Sequence, residues 1–308
     1  MTAAATRAGG RRAGPRLGRS IERLLLPLYT LGVTLYLILP VAVMIAFSFN
    51  DPTGRSNLVF KKFSFDAWLD PLGRIGLGDA VRNSLIIAFG STIVATILGT
   101  LIALALVRYG FRGRNATNLL IFLPMSTPEV VLGSSLLTLF IATARLPFLP
   151  EGFLFPLGIR TIFIAHVMFN ISYVVVTVKA RLQDFPRHLE EAAMDLGANE
   201  WVTFRKVTLP LLAPAILSAA LLGFALSIDD FVITYFVSGP TQTFPLFVWG
   251  AARVAVPPQV NVVASAIFMV AVLVMVGNVL WGLRARRARE SMPAAVPLPE
   301  ALPRPEAA

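Results

Sequence analysis

The sequence predicts an all-α, polytopic membrane fold with six transmembrane helices, and three observations carry that prediction. Of 308 residues, 56% are hydrophobic and 14% charged, with a mean hydropathy of +0.72, too apolar for an ordinary water-exposed domain. The apolar residues gather into six runs, at 24–49, 83–107, 119–143, 160–178, 211–236 and 261–283, each close to the roughly 20 helical residues that cross a bilayer. The basic residues alternate with these runs: segments 1–23, 108–118, 179–210 and 284–308 hold 19 of the chain's 27 Lys and Arg. That bias places all four segments, and both termini, in the cytoplasm.

The same distribution explains the net charge of +10 without a polyanionic partner. It reports topology and contact with anionic lipid, not nucleic acid. The long outer loop, 50–82, offsets its own basic residues with Asp51, Asp66, Asp70 and Asp79. With no cysteine, disulfides and thiolate metal sites are excluded. His166 and His188 fall in different segments and make no ligand cluster. The connections are too short for a soluble catalytic domain, and neither a Gly-x-x-x-x-Gly-Lys-[Ser/Thr] phosphate loop nor a Gly-x-Ser-x-Gly elbow is present. The chain is therefore expected not to be an enzyme.

In order along the chain, residues 1–20 are a basic tail, expected to be disordered, before a membrane domain at 21–285. Span one has Pro27 near its start and Pro40 inside. Its apolar run is too long for a signal peptide and lacks a small-residue cleavage site, so it is expected to remain as an anchor. In the outer loop, Phe65–Leu69 reads as a short interfacial helix. Span two follows Asn83-Ser84, and its Gly90, Ser91, Thr92, Thr96, Gly99 and Thr100 permit close helix packing. Pro124, Pro128 and Glu129 predict that span three is kinked or broken near its middle. Span four carries His166 and Asn170, expected to hydrogen-bond between helices. Span five, expected to run to 236, carries Asp229 and Asp230 near its outer end. The outer segment 238–258 is expected to fold back on Phe247-Val248-Trp249. Span six ends in the basic run from Arg284, and residues 286–308 are a Pro/Ala-rich tail expected to be disordered.

The inner loop, 179–210, is the feature that a simple connection does not explain. Joining two spans takes only a few residues, and this loop has 32. Pro186-Arg187-His188 opens a helix that ends near Leu196, with Gly197 as its terminator. Asn199 then caps a second helix over Glu200–Val207, which Pro210 is expected to end. Glu191 and Asp195, at i and i+4, share one face of the first helix, making a charged knob under the membrane.

Glu191-Ala192-Ala193, Gly197 and Val207-Thr208-Leu209-Pro210 resemble the EAA loop of ABC-importer permeases in spacing and in position before the penultimate span. Val207 stands where isoleucine is commoner. Over about residues 20–285 the chain also resembles the second, C-type permease of spermidine/putrescine importers, through Phe47-Ser-Phe-Asn-Asp51, Asn83-Ser-Leu-Ile-Ile87, Pro128-Glu-Val-Val-Leu-Gly133 and Ser227-Ile-Asp-Asp-Phe-Val-Ile-Thr234. The resemblance implies the type I importer permease fold and a multi-pass protein of the bacterial inner membrane. It implies four kinds of partner: a dimer of ATPase subunits, a second permease, an extracytoplasmic solute-binding protein and a small-molecule substrate. This chain would bind no cofactor, ATP and Mg2+ belonging to the ATPase. Carried over residue by residue, Glu190, Glu191, Ala192, Ala193, Asp195, Gly197, Leu209 and Pro210 form the ATPase-coupling surface. The polyamine class is the expected substrate; the alternatives are an ABC permease for another small solute and a secondary transporter driven by an ion gradient, and no inverted repeat supports the latter.

Ionisable residues within a membrane are costly unless they face protein or water, so each is a candidate for function. Glu129 lies just after two prolines, which free backbone carbonyls one turn before them. It suits either the passage of an organic cation or the capping of its own broken helix. Asp229 and Asp230 lie about 27 Å up span five at 1.5 Å per residue. They offer an anionic mouth, or a pair bonded to a neighbouring subunit. Tyr235, with Phe236 and Trp249, supplies aromatic faces for an ammonium group or anchors at the interface.

Overall fold

The computed structural model describes residues 16–54, 56–143 and 156–290. Among them the regular structure is helical, with one isolated bridge, between Asn50 and Phe63. The chain runs through α1 (Arg16–Phe47), α2 (Asp66–Leu69), α3 (Leu77–Arg108), α4 (Arg114–Ser126), α5 (Glu129–Thr143), α6 (Ile159–Gln183) and α7 (His188–Asp195). It continues with α8 (Glu200–Thr203), a π-helical turn (Phe204–Thr208), α9 (Leu209–Asp229), α10 (Val232–Val237), α11 (Phe244–Val254) and α12 (Pro258–Glu290). Five stretches are long and apolar enough to cross a membrane singly: Leu25–Phe47, Leu77–Arg108, Ile159–Gln183, Glu200–Asp229 and Pro258–Gly277.

The sixth crossing is α4 and α5 together, bent by 111° at Thr127-Pro128. Two apolar clusters show that the pair crosses and does not double back. Ile121 of α4 packs with Val174, Val178 and Leu182 at the C-terminal half of α6. Leu132, Leu136 and Phe140 of α5 pack with Ile162 and Phe169 at its N-terminal half. Lys179 Nζ also donates to Asn118 Oδ1 at 2.6 Å, fixing the start of α4 beside the end of α6. The expected break in span three is present, and Pro128 starts the second half. Its carbonyl accepts from Val131 and Leu132 at 2.9 and 3.0 Å.

The centre of the bundle is α3, α6 and α9 packed on one another. Small residues allow it. A Cβ at Gly99 would come within 2.7 Å of the Val174 side chain and 3.3 Å of the Ile171 carbonyl, and one at Gly90 within 2.8 Å of the Phe163 ring. α1 packs on α12 and otherwise exposes the apolar face a lipid-facing helix requires.

One end of the bundle bears α7; the other bears α2, α11 and the loop after α1. There Asn50 Nδ2 donates to Asn57 Oδ1 (2.6 Å) and Asn57 Nδ2 to the Phe47 carbonyl (2.7 Å), while Asn57 N–H donates to the Val256 carbonyl at 2.8 Å. Leu77 at the start of α3 packs with Phe244 of α11 and Val263 of α12. The start of α1 and the end of α12 therefore lie at the α7 end, on the same side as each other.

Four boundaries differ from the sequence reading. Residues 16–20, expected in the tail, are the first turns of α1; Pro27 and Pro40 lie within that helix without ending it. Span five stops at Asp229, seven residues short of 236, because Asp230 takes an extended backbone conformation with ψ of 119° and turns its carboxylate onto the next helix. The helix from Glu200 is not ended by Pro210; it passes through the π turn directly into α9. Proline lacks the N–H that would bond the Lys206 carbonyl, and the chain widens instead of stopping, with Leu209 N–H reaching back five residues to Phe204. α12 continues to Glu290, five residues past 285. Residues 1–15 and 291–308 of the expected tails lie outside the described residues.

Gly99→Val should lower the detergent melting temperature of the protein, costing about 1–3 kcal/mol through overpacking of α3 on α6. Gly32→Val, where a Cβ meets nothing within 4 Å, should leave it within experimental error.

Candidate functional site

At the α7 end, local sequence builds a small rigid knob. α7 ends as expected at glycine: Gly197 has φ of +88°, and Ala198 and Gly197 N–H bond back to Ala193 and Met194 at 3.1 and 2.9 Å, which satisfies the last carbonyls. Asn199 Oδ1 accepts from Val202 N–H at 2.9 Å, capping α8. α7 buries no residue. Glu191, Ala192, Asp195 and Gly197 are exposed, Ala193 half-buried, and Leu209 and Pro210 exposed at the foot of α9.

Glu190 faces the other way. Its Oε1 accepts from Arg108 Nη2 at 3.1 Å and from Thr208 Oγ1 at 2.8 Å. Arg187 Nη2 donates to the Val107 carbonyl at 3.2 Å. Sequence reading grouped Glu190 with its neighbours on the coupling surface. Thr208 belongs to the quoted motif, but its bond to Glu190, like that of Arg108, carries no spacing signal in the sequence.

Two breaks separate successive helices on the far side of the bundle from α7. The first gap is at Thr127-Pro128, the second at Asp230-Phe231 between α9 and α10. Gly133 of α5 lies against Ile233 and Phe236 of α10, and Leu137 lines an open cleft of about 640 Å³ with Tyr235, Phe236, Gln242 and Leu246. α5 and α10 thus advance side by side, which sets the start of α5 toward the second gap. Each outer half-helix has a carboxylate at its start, Glu129 on α5 and Asp230 on α10.

The carboxylates differ in surroundings. Glu129 and Asp229 are exposed. The Asp230 side chain is 9% exposed, with Oδ2 accepting from Thr234 N–H and Oγ1 at 2.8 and 2.7 Å. His166 Nε2 lies 3.3 Å from that oxygen and 2.9 Å from Thr234 Oγ1. The ring's Nδ1 pairs with Ser227 Oγ at 2.6 Å, and Ser227 with Ser91 at 3.1 Å. A polar chain therefore joins α3, α6, α9 and α10. His166 bonds between helices as expected. Asn170 does not: it is fully buried against Gly223, with neither amide atom hydrogen-bonded among the described residues. Tyr235 is 57% exposed, and Phe231 links it to Trp249 at ring separations of 5.7 and 5.1 Å. Arg253 sits 4.6 Å over the Trp249 ring.

A family model described as the binding-protein-dependent transport system inner membrane component matches residues 95–290. The chain belongs to this family. This binding-protein-dependent permease is 39% identical to the putrescine transport system permease protein PotI of Escherichia coli K12 over 262 residues, covering 84% of this chain and 90% of that one. It is 36% identical to the spermidine/putrescine transport system permease protein PotC of Haemophilus influenzae over 242 residues, 78% of this chain and 90% of that one. Its fold matches a crystal structure of a bacterial ABC transporter that imports the acidic polysaccharide alginate, with a TM-score of 0.63 over 89% of this chain and 99% of that one, at 17% identity. The matched family region of the permease takes in the two gaps, the knob and all of the polar chain but Ser91, and starts within α3.

Because Asp230 caps α10, Asp230→Ala should destabilise the permease by about 0.5–2 kcal/mol, the usual loss for a helix cap, or more where His166 is left buried beside the gap. Asp229→Asn should not. Thermal unfolding of the two purified variants in one detergent checks the difference.

Proposed function

We propose that this chain is one of two permease subunits of an ATP-driven importer, passing a small organic cation, most simply a polyamine such as putrescine or spermidine, by alternating access. The observation that carries the reading is the pair of neighbouring gaps with exposed carboxylates, Glu129 at one and Asp229 at the other. Half-helix C-termini present carbonyl dipoles with partial negative charge, and carboxylates beside them favour a cation carrying several charges. Tyr235 adds an exposed aromatic face of the kind that attracts ammonium groups. Asp230 is engaged by Thr234 and His166, so its role is to hold α10 in place, and Asp229 is the member of the pair that meets the solute. The relatives with polyamine names, matched over most of both chains, support the same substrate class.

The α7 knob is the ATPase-coupling surface, through Glu191, Ala192, Ala193, Asp195 and Gly197 with Leu209 and Pro210 at its foot. A partner ATPase dimer supplies ATP and Mg2+, and this chain binds neither. The second permease completes the pore, and an extracytoplasmic solute-binding protein delivers the substrate to the end bearing α2 and α11. The positive-inside bias sets the α7 end, with both termini, in the cytoplasm.

Labelled putrescine and spermidine uptake into cells lacking the gene, complemented by wild type or variants, tests the proposal. Wild type should restore uptake, and Glu191→Lys should abolish it while reaching the membrane in normal amount. Glu129→Gln should raise the apparent KM for the amine by roughly tenfold, equivalent to about 1.4 kcal/mol. Full uptake by Glu191→Lys would refute ATPase coupling through α7, and unchanged kinetics in Glu129→Gln would remove Glu129 from the pathway.

A further inference from the structure

Glu190 and Glu191 are adjacent on α7, yet they point to opposite sides of it. Glu191 is exposed, whereas Glu190 is turned to the bundle, its side chain 16% exposed and that of Arg108 13%. α7 buries no residue, so no apolar core holds it against the spans. Charge-assisted hydrogen bonds must, and these are the strong kind. One carboxylate oxygen, Glu190 Oε1, meets both Arg108, the last residue of α3, and Thr208, the last residue of the π turn before α9. The Arg108 guanidinium also lies 5.5 Å over Phe185, just beyond the end of α6. α3, α7 and the π turn therefore meet at one carboxylate.

Two further features set this cluster apart from a static clamp. Thr208 closes a π-helical turn, a geometry concentrated at places where helices change register. Arg108 Nε is buried without a hydrogen-bond partner among the described residues, a donor that costs free energy as it stands and is available for a different pairing. Beyond the joint, α9 is a continuous helix of 21 residues, about 30 Å long at 1.5 Å per residue, ending at Asp229 beside the second gap. α9 therefore links Thr208 to that gap through one helix, with Pro214 inside it.

We propose that Arg108, Glu190 and Thr208 form a transmission joint, positioning residues that convert displacement of α7 into movement of α3 and α9, distinct from the surface that docks the ATPase. This rests on the reading of α7 as the ATPase contact. The joint lets the exposed face of α7 be gripped while its inner face drives the spans.

The test uses the complete importer, with both permeases, ATPase and binding protein, reconstituted in liposomes. Substrate uptake, ATP hydrolysis and the amount of co-purifying ATPase are measured together. Glu190→Gln, Arg108→Gln and Thr208→Val should retain the ATPase in wild-type ratio while ATP consumed per solute rises about tenfold or more, the shift expected for loss of a charged hydrogen bond. Thr208→Val removes only a hydroxyl, so it decides the matter if the arginine variant fails to fold. An unchanged ratio of ATP to solute in Thr208→Val and Glu190→Gln would overturn the joint, as would loss of the ATPase from both complexes. Glu191→Lys serves as the control: retained ATPase and normal uptake there would refute the docking reading itself, whatever the joint variants do.

Discussion

Every backbone N–H and C=O within the hydrocarbon must find a partner inside the protein, because lipid offers none. Unbroken helices meet that demand along α1, α3, α6 and α12, which makes the two interruptions, at Thr127-Pro128 and Asp230-Phe231, the places where the chain departs from it. Such departures are tolerated where protein or a water-filled cavity receives the freed groups. At the second gap the protein does so: the Asp230 carboxylate takes the Thr234 N–H, and Thr234, His166, Ser227 and Ser91 continue the chain of partners across three more helices. At the first, Thr127 N–H and hydroxyl return to the Leu123 carbonyl at 3.0 and 2.6 Å, and Pro128 brings no N–H to satisfy.

Around those gaps the rest of the bundle is scaffold. Gly90 and Gly99 let α3 approach α6, and the two apolar clusters hold α4 and α5 at opposite halves of α6. The far-end loop is stitched by Asn50 and Asn57. α9 connects the knob at one end to the second gap at the other, so a single helix spans the two features.

Much of this was legible in the sequence. Hydropathy runs gave the spans, since a length of apolar residues has one physical solution in a bilayer. Pro124 and Pro128 marked the first gap, and Gly197 and Asn199 marked the ends of α7 and α8, because proline and glycine act on the backbone locally. The second gap was missed: Asp229-Asp230-Phe231 contains no breaker, and Asp230 turns out of α9 onto Thr234 four residues on and onto His166 of α6, a partner no local pattern shows. The role of Pro210 was misread for the converse reason. Its missing N–H can be absorbed by a wider turn, and whether a helix widens or ends depends on tertiary support that no local pattern encodes. Glu190 was grouped with its neighbours by motif, whereas its inward orientation depends on Arg108, 82 residues away.

The absence of native cysteine makes the central claim directly measurable. Single substitutions Glu129→Cys, Asp229→Cys and Asp230→Cys are introduced into the complete importer in membranes and exposed to a charged, membrane-impermeant thiol reagent, with and without putrescine and the binding protein. If the gaps line the solute path, positions 129 and 229 react and putrescine slows the reaction, while position 230 stays protected throughout. Inert positions 129 and 229, or reaction rates indifferent to putrescine, would contradict a cation path between the two broken spans.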